Sequence, residues 1–144
     1  MIRRATTDDL DYFLSVAERY LRISAEGKFL TLDKSAARKQ MEARLINNWP
    51  VYSLVDSDHR GLMIGELVNS LWNPAERLMV VNCFWIEPEH RGGRLASDFM
   101  SAIESTDAKA IMIDTNESLK PEETASFYKR RGYRLMQKLF VKVK

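Results

Sequence analysis

Apolar residues recur along the first third of the chain at helical spacing. Leu10, Phe13, Val16, Ala17, Tyr20 and Leu21 keep the three-and-four period of one helix face, which predicts a helix over residues 8–22. The preceding Thr6-Thr7-Asp8-Asp9 supplies hydroxyls to cap that helix and carboxylates for its first turn, where unpaired amides and the helix dipole favour oxygen and negative charge. Ile2 to Ala5, in front of it, reads as a short strand. Glu26-Gly27-Lys28 interrupts the pattern. Asp33 is a second cap, and Ala37, Met41 and Leu45, spaced four apart, predict a helix over 34–47 that closes at Asn47-Asn48 and Pro50.

The period then changes. Val51 to Val55 is a strand, Asp56-Ser57-Asp58-His59-Arg60-Gly61 a turn, Leu62 to Leu71 a second strand, and Asn73-Pro74 another turn. Leu78 to Ile86 is apolar on both faces, interrupted by Asn82, as befits a central strand covered on both sides. These three segments read as an antiparallel meander. Helical spacing returns with Leu95, Ala96, Phe99, Met100 and Ile103. A short buried strand follows at 109–114. Pro121-Glu122-Glu123 opens a further helix, Pro being tolerated in a first turn, and it runs to about Arg131 and stops at Gly132. From Tyr133 to Lys144, Leu139, Val141 and Val143 alternate with Lys138, Lys142 and Lys144, the pattern of a last strand. The whole is a mixed α/β sheet with a strand–helix–strand crossover in its second half.

Composition narrows the classes. The chain has 144 residues, which fits one domain spanning 1–144 with a core that needs no metal or disulfide staple. A net charge of +2 argues against a dedicated nucleic-acid binder. A lone cysteine, Cys83, excludes an internal disulfide and points to a reducing, cytoplasmic setting. Met1-Ile2-Arg3-Arg4 leads into polar residues, unlike a secretory signal, and the longest apolar run is too short to span a bilayer, so no membrane partner is expected. No His, Cys and carboxylate spacing suggests a metal site.

Chemistry concentrates at residues 86–96, Ile-Glu-Pro-Glu-His-Arg-Gly-Gly-Arg-Leu-Ala. A buried strand ends at Pro88, and two glycines lead into an amphipathic helix. Glycine lets backbone approach a ligand closely, and the first amides of a helix bind phosphate together with its dipole. Arg91 and Arg94 add full charges beside them.

This stretch resembles the cofactor motif of the GNAT superfamily of N-acetyltransferases: Arg or Gln, two residues, Gly, one residue, then Gly or Ala. Arg91 matches the first position and Ala96 the last, while Arg94 stands where the family has Gly, adding a side chain that either contacts the pyrophosphate or narrows the cradle. A second resemblance lies in Phe127-Tyr128-Lys129-Arg130-Arg131-Gly132-Tyr133, similar to the family's helix ending in aromatic-Tyr-x-x-x-Gly-Phe/Tyr. Both motifs look most like small GNAT proteins of bacteriophage genomes. The resemblance implies an α/β fold with a mixed sheet of roughly six or seven strands, about four helices, and a central splay between the strands at 78–86 and 109–114.

It also implies a reaction, transfer of an acetyl group from acetyl-CoA to a primary amine of a small molecule or protein, without a metal. Backbone of Arg91, Gly92, Gly93, Arg94, Leu95 and Ala96 would hold the cofactor phosphates. The strand edge at Phe84, Trp85 and Ile86 would pair with the pantetheine arm like an added strand. Tyr128 would protonate the leaving thiolate. Pro121 stands where the family has an Asn, a contact that is either absent or made by Asn116. The family's Glu in the strand before the cradle is missing from Val80-Val81-Asn82, and Glu66 is the best substitute base, equally readable as a solvated strand-face carboxylate. Asn82 is able to position a water but not to act as a strong base. His59 and His90 sit in polar turns and read as solvent-exposed. Tyr20, Phe29, Trp72 and Trp85 are candidate aromatic walls of the acceptor pocket. A homodimer is left open. The other reading is a non-catalytic module with the same fold, binding CoA or serving a structural or interaction role; it is motivated by Arg94 and by the missing strand carboxylate.

Overall fold

A computed structural model of the chain describes residues 1–47, 51–115, 120–137 and 140–144. They divide into two compact units, one of Met1–Val16 and Asp33–Asp114, the other of Ala17–Leu32 and Thr115–Lys144.

The first unit is built on a five-stranded sheet whose strands lie side by side in chain order: β1 (Ile2–Arg4), β2 (Val51–Asp56), β3 (Gly61–Asn69), β4 (Arg77–Ile86) and β5 (Ala110–Ile113). The first three pairings are antiparallel, so the expected meander is present as β2–β3–β4. β5 joins β4 in parallel through the crossover helix α3 (Leu95–Glu104). The first half of α1 (Leu10–Ile23) and all of α2 (Lys34–Asn47) complete the unit.

Packing explains the period of each element. Gly61 and Gly65 lie four apart on β3. A Cβ on Gly61 would come within 3.0 Å of Phe99, and one on Gly65 within 3.3 Å of Ile103 and 2.8 Å of the Met79 sulfur. The absence of both side chains is what lets α3 seat against the sheet. Phe99, Met100 and Ile103 are fully buried there, with Met63 and Met79, while Leu62 is buried on the opposite face. The same strand's alternate residue Ile64 faces the other way, where it lines a cavity with Phe13 of α1 and Met41 and Leu45 of α2.

The expected strand at 109–114 is present as Ala110–Ile113, but the strand expected over 133–144 is not found among the described residues, Lys138 and Leu139 lying outside them. The described sheet therefore has five strands where six or seven were expected. Alternation makes a strand only when a sheet edge takes up its backbone groups and a neighbour covers its apolar face. Leu135, Met136, Phe140, Val141 and Val143 are all exposed.

The second unit holds the end of α1, a 3₁₀ turn at Ala25–Lys28, and α4 (Pro121–Arg130). α4 stops where the sequence placed its end. Gly132 has φ +90°, and its amide and that of Tyr133 bond back to the Lys129 and Tyr128 carbonyls.

Two carboxylates without exposed surface tie the first unit's N-terminal strand to its hairpin. Asp56 accepts bonds from Arg60 at 2.7 and 3.0 Å, from the Asp58 amide, and from the amino group of Met1. Asp9 accepts two bonds from Arg3 at 2.8 Å, a third from the Thr6 amide, and contacts His59 Nε2 at 2.8 Å. The Arg60 guanidinium holds the Asp56 carboxyl well below the usual carboxylate range, and Arg3 does the same for Asp9. Both carboxylates lie only one side chain from water, since Arg60 and Arg3 are themselves more than a third exposed. Each pair is therefore worth about 1 kcal/mol rather than the roughly 3–5 lost on breaking a fully buried pair. A folded-state pKa below the unfolded one gives stability that is fully present above the unfolded value, near pH 4, and is lost as pH falls through it. Urea unfolding followed from pH 7 to pH 2 should thus show flat stability from these groups down to about pH 5 and a decline below pH 4. Asp56→Asn should lower stability at pH 7 and make the acid decline shallower.

Candidate active site

The end of β4 and the start of α3 form a cradle. After Ile86 the chain makes a 3₁₀ turn at Pro88–His90, passes Gly92 at φ +79° and enters α3 at Leu95. The first i to i−4 bond of α3 runs from the Asp98 amide to the Arg94 carbonyl at 3.0 Å, leaving the earlier amides of the turn outside the helical ladder. A cavity of about 380 Å³ opens here, lined by Arg60, Arg91, Arg94, His90, Glu89, Gly93, Leu95 and Asp98. Three guanidiniums face two carboxylates, so the site favours an anion.

The cradle residues have distinct tasks. Arg91 turns back on the strand end, Nε donating to the Ile86 carbonyl at 2.9 Å, with its guanidinium 4.9 Å from the ring centre of buried Trp85. Arg94 stands in ordinary right-handed backbone (φ −70°, ψ −21°), so the chain does not require glycine there. Its Nε bonds Asp98 at 3.1 Å, one turn along the helix, and its side chain is largely exposed. Phe84 meets Phe99 edge-on at 5.7 Å. β4 pairs with β5 only from Leu78 to Val81, so among the described residues the stretch 82–86 runs on with one edge free of β5.

Beside the cradle, Tyr12 donates to buried Glu87 at 3.0 Å and stacks on His59 at 4.6 Å. His59 is exposed, as expected, yet its ring stacks on Tyr12 and its Nε2 contacts Asp9, and its backbone sits at φ +54°. This cluster, and the place of Arg60, were not legible from the residues alone, because the partners lie on three distant segments.

The two candidate catalytic side chains fall in different units. Glu66 lies on β3, and its Oε1 accepts a 2.8 Å bond from Arg44 of α2. The cavity between α1, α2, β2 and β3 lies next to this pair and measures about 130 Å³. Tyr128 is buried in the second unit, its ring 5.7 Å from that of Phe127 and 5.8 Å from that of Tyr133. Asn116 lies outside the described residues. Trp72 is almost fully exposed on the β3–β4 turn. Among the described residues no group of three or more His, Cys, Asp or Glu is placed to hold a metal ion, and no helix is long and apolar enough to cross a membrane.

No protein-family model matches the chain, and no curated protein matches its sequence. Solved structures do match its fold. A predicted acetyltransferase from Clostridium acetobutylicum, solved with acetyl-CoA, aligns over 100% of this chain and 95% of its own at TM-score 0.72 and 15% identity. A ribosomal-protein-alanine N-acetyltransferase from Brucella melitensis biovar Abortus 2308 aligns over 100% and 99% at TM-score 0.70 and 15% identity. The chain thus shares the α/β fold of these acetyltransferases.

The two cradle glycines should respond differently to alanine. A Cβ at Gly92 would meet nothing within 4 Å, so the constraint there is conformational alone. Gly92→Ala should cost about 1–2 kcal/mol in denaturant unfolding. Gly93→Ala, whose nearest contact would be the His90 carbonyl at 3.8 Å, should stay within about 0.5 kcal/mol of the parent.

Proposed function

We propose that the chain, acting as one catalytic domain, transfers an acetyl group from acetyl-CoA to a primary amine. The observation that carries this reading is the β4–α3 cradle, an open cationic cavity at a helix start, within a fold shared over its full length with acetyltransferases. The amides of 91–96 and the Arg60, Arg91 and Arg94 guanidiniums take the pyrophosphate. The edge of β4 at Phe84–Ile86, beyond its ladder to β5, takes the pantetheine arm, and an amide there polarises the thioester carbonyl.

In the transfer the amine gives a proton to Glu66 and its nitrogen bonds the acetyl carbon. The carbon–sulfur bond breaks, and Tyr128 protonates the departing thiolate. Glu66 serves as base only once Arg44 is drawn off its oxygen. That engagement is the observation behind the second reading, a CoA-binding module without turnover.

Thiol release with acetyl-CoA across an amine panel, paired with calorimetry, separates these readings. Tyr128→Phe should lower kcat by about 10²-fold while leaving acetyl-CoA affinity within about twofold. An unchanged kcat would remove Tyr128 from the reaction. Absence of acetyl-CoA binding at millimolar concentration would overturn the acetyltransferase reading.

A further inference from the structure

We propose that the acceptor is a small zwitterion, an α-amino acid with an apolar side chain of about leucine size. Its carboxylate would be held by Arg44, its ammonium by Glu66, and its side chain by the cavity between α1, α2, β2 and β3. The inference rests on the acetyltransferase reading and names the substrate class of its acceptor site.

The cavity sets the size. Its floor is Phe13, Met41, Leu45, Val51 and Ile64, and its volume is about 130 Å³. An apolar cavity of about 150 Å³ is enough for benzene. The α2 stripe that lines it is unfinished: Met41 and Leu45 are only half-buried, and no residue of α2 is buried. An apolar group seated there would complete the contacts these side chains lack.

The register puts the charges at its edge. Ile64 and Glu66 share one face of β3, two residues apart. Across the ladder Ser53 stands opposite Ile64 and Val51 opposite Glu66. Arg44, one turn of α2 from Gln40 and Met41, lines the same cavity and bonds Glu66 at 2.8 Å.

This ion pair selects for a ligand that carries both charges. The Arg44 side chain is 42% exposed and that of Glu66 28%, so the pair is easily opened. A simple amine that takes Glu66 leaves Arg44 without its carboxylate. A zwitterion gives each side chain a partner of opposite sign, and the planar guanidinium fork matches a carboxylate. The same exchange frees Glu66 from Arg44 when the ammonium arrives. The ammonium then passes one proton to Glu66, and its nitrogen bonds the acetyl carbon. The carbon–sulfur electron pair leaves with sulfur, and the second nitrogen proton is matched by the one the thiolate takes up. The products are an N-acetyl amino acid, free thiol and one proton released to solvent.

The test uses L-leucine, leucinamide and 3-methylbutylamine, which share a side chain and differ in the carboxylate. Calorimetry without acetyl-CoA reads binding, and thiol release with acetyl-CoA reads turnover, on the parent protein, Arg44→Ala and Arg44→Lys. Arg44 is an exposed helix position, and circular dichroism with thermal unfolding confirms that each variant folds. Leucine should have a KM about tenfold or more below those of the other two, Arg44→Ala should erase that preference, and Arg44→Lys should restore part of it. Equal use of all three amines would overturn this inference and leave the acetyltransferase reading standing. Arg44-dependent leucine binding without thiol release from any amine would support the zwitterion site and overturn the acetyltransferase reading. Neither binding nor turnover of leucine would overturn the inference.

Discussion

β4 carries one residue more than β3 can pair, and much of the first unit follows from where that residue sits. Ile64 stands opposite Cys83 and Gly65 opposite Val81, so Asn82 is the surplus. A bulge breaks the alternation of side chains and bends its strand. Before it, Met79 and Val81 share the face of Gly65; after it, Phe84 shares that face with Met63, three residues on rather than two. The parallel ladder to β5 ends at Val81, just before the bulge. Beyond that point β4 keeps its bonds to β3 while its ladder to β5 has ended, and the strand runs directly into the cradle.

The cradle in turn is held from the hairpin side. Buried Asp56 fixes the Arg60 guanidinium that forms one cavity wall, and the Glu87 amide bonds the Arg60 carbonyl at 2.9 Å. Asp9 pins His59, His59 stacks on Tyr12, and Tyr12 bonds Glu87 immediately before the proline turn. Each contact is modest and near solvent, yet together they leave the strand end little freedom to rotate. The positive φ of His59 fits this view, because a non-glycine residue stays in the left-handed region only where its surroundings hold it. Preorganised charge of this kind binds an anion without first having to order its own side chains.

How much of this could be read in the sequence depended on distance along the chain. Helices α1, α2, α3 and α4 were legible from the spacing of Leu10, Phe13 and Val16, of Met41 and Leu45, of Phe99 and Ile103, and from Pro121 and Gly132. The cradle was legible because its glycines, proline and arginines are contiguous. Asn82 was visible as an interruption in an apolar strand, but nothing local says that it is a bulge. Glu66 was visible as a carboxylate, whereas its engagement by Arg44 joins residues 22 positions apart, and the Asp9–His59 contact spans 50. The segment 133–144 misled in the opposite way. Its alternation is local, but a strand also needs an edge to pair with, and its apolar residues Leu135, Met136, Phe140, Val141 and Val143 lie exposed.

The division between backbone and side chain also accounts for a fold held at 15% identity. In the proposed reaction, amides at a helix start and a strand edge would recognise phosphate and pantetheine with little demand on residue type, and Arg94, in right-handed backbone, would not stand in the way of a glycine's role there. The acceptor has no such backbone site. In the proposed site it would meet the particular side chains that α1, α2, β2 and β3 bring to one cavity, and fold alone says nothing about them. The Arg44–Glu66 pair therefore does not argue against catalysis merely because it occupies the base. A guanidinium bonded to a carboxylate at the mouth of an apolar cavity is already a template for a molecule with both charges and an apolar side chain. What looks like a blocked base in the free protein is the same contact that the right substrate would exchange for its own.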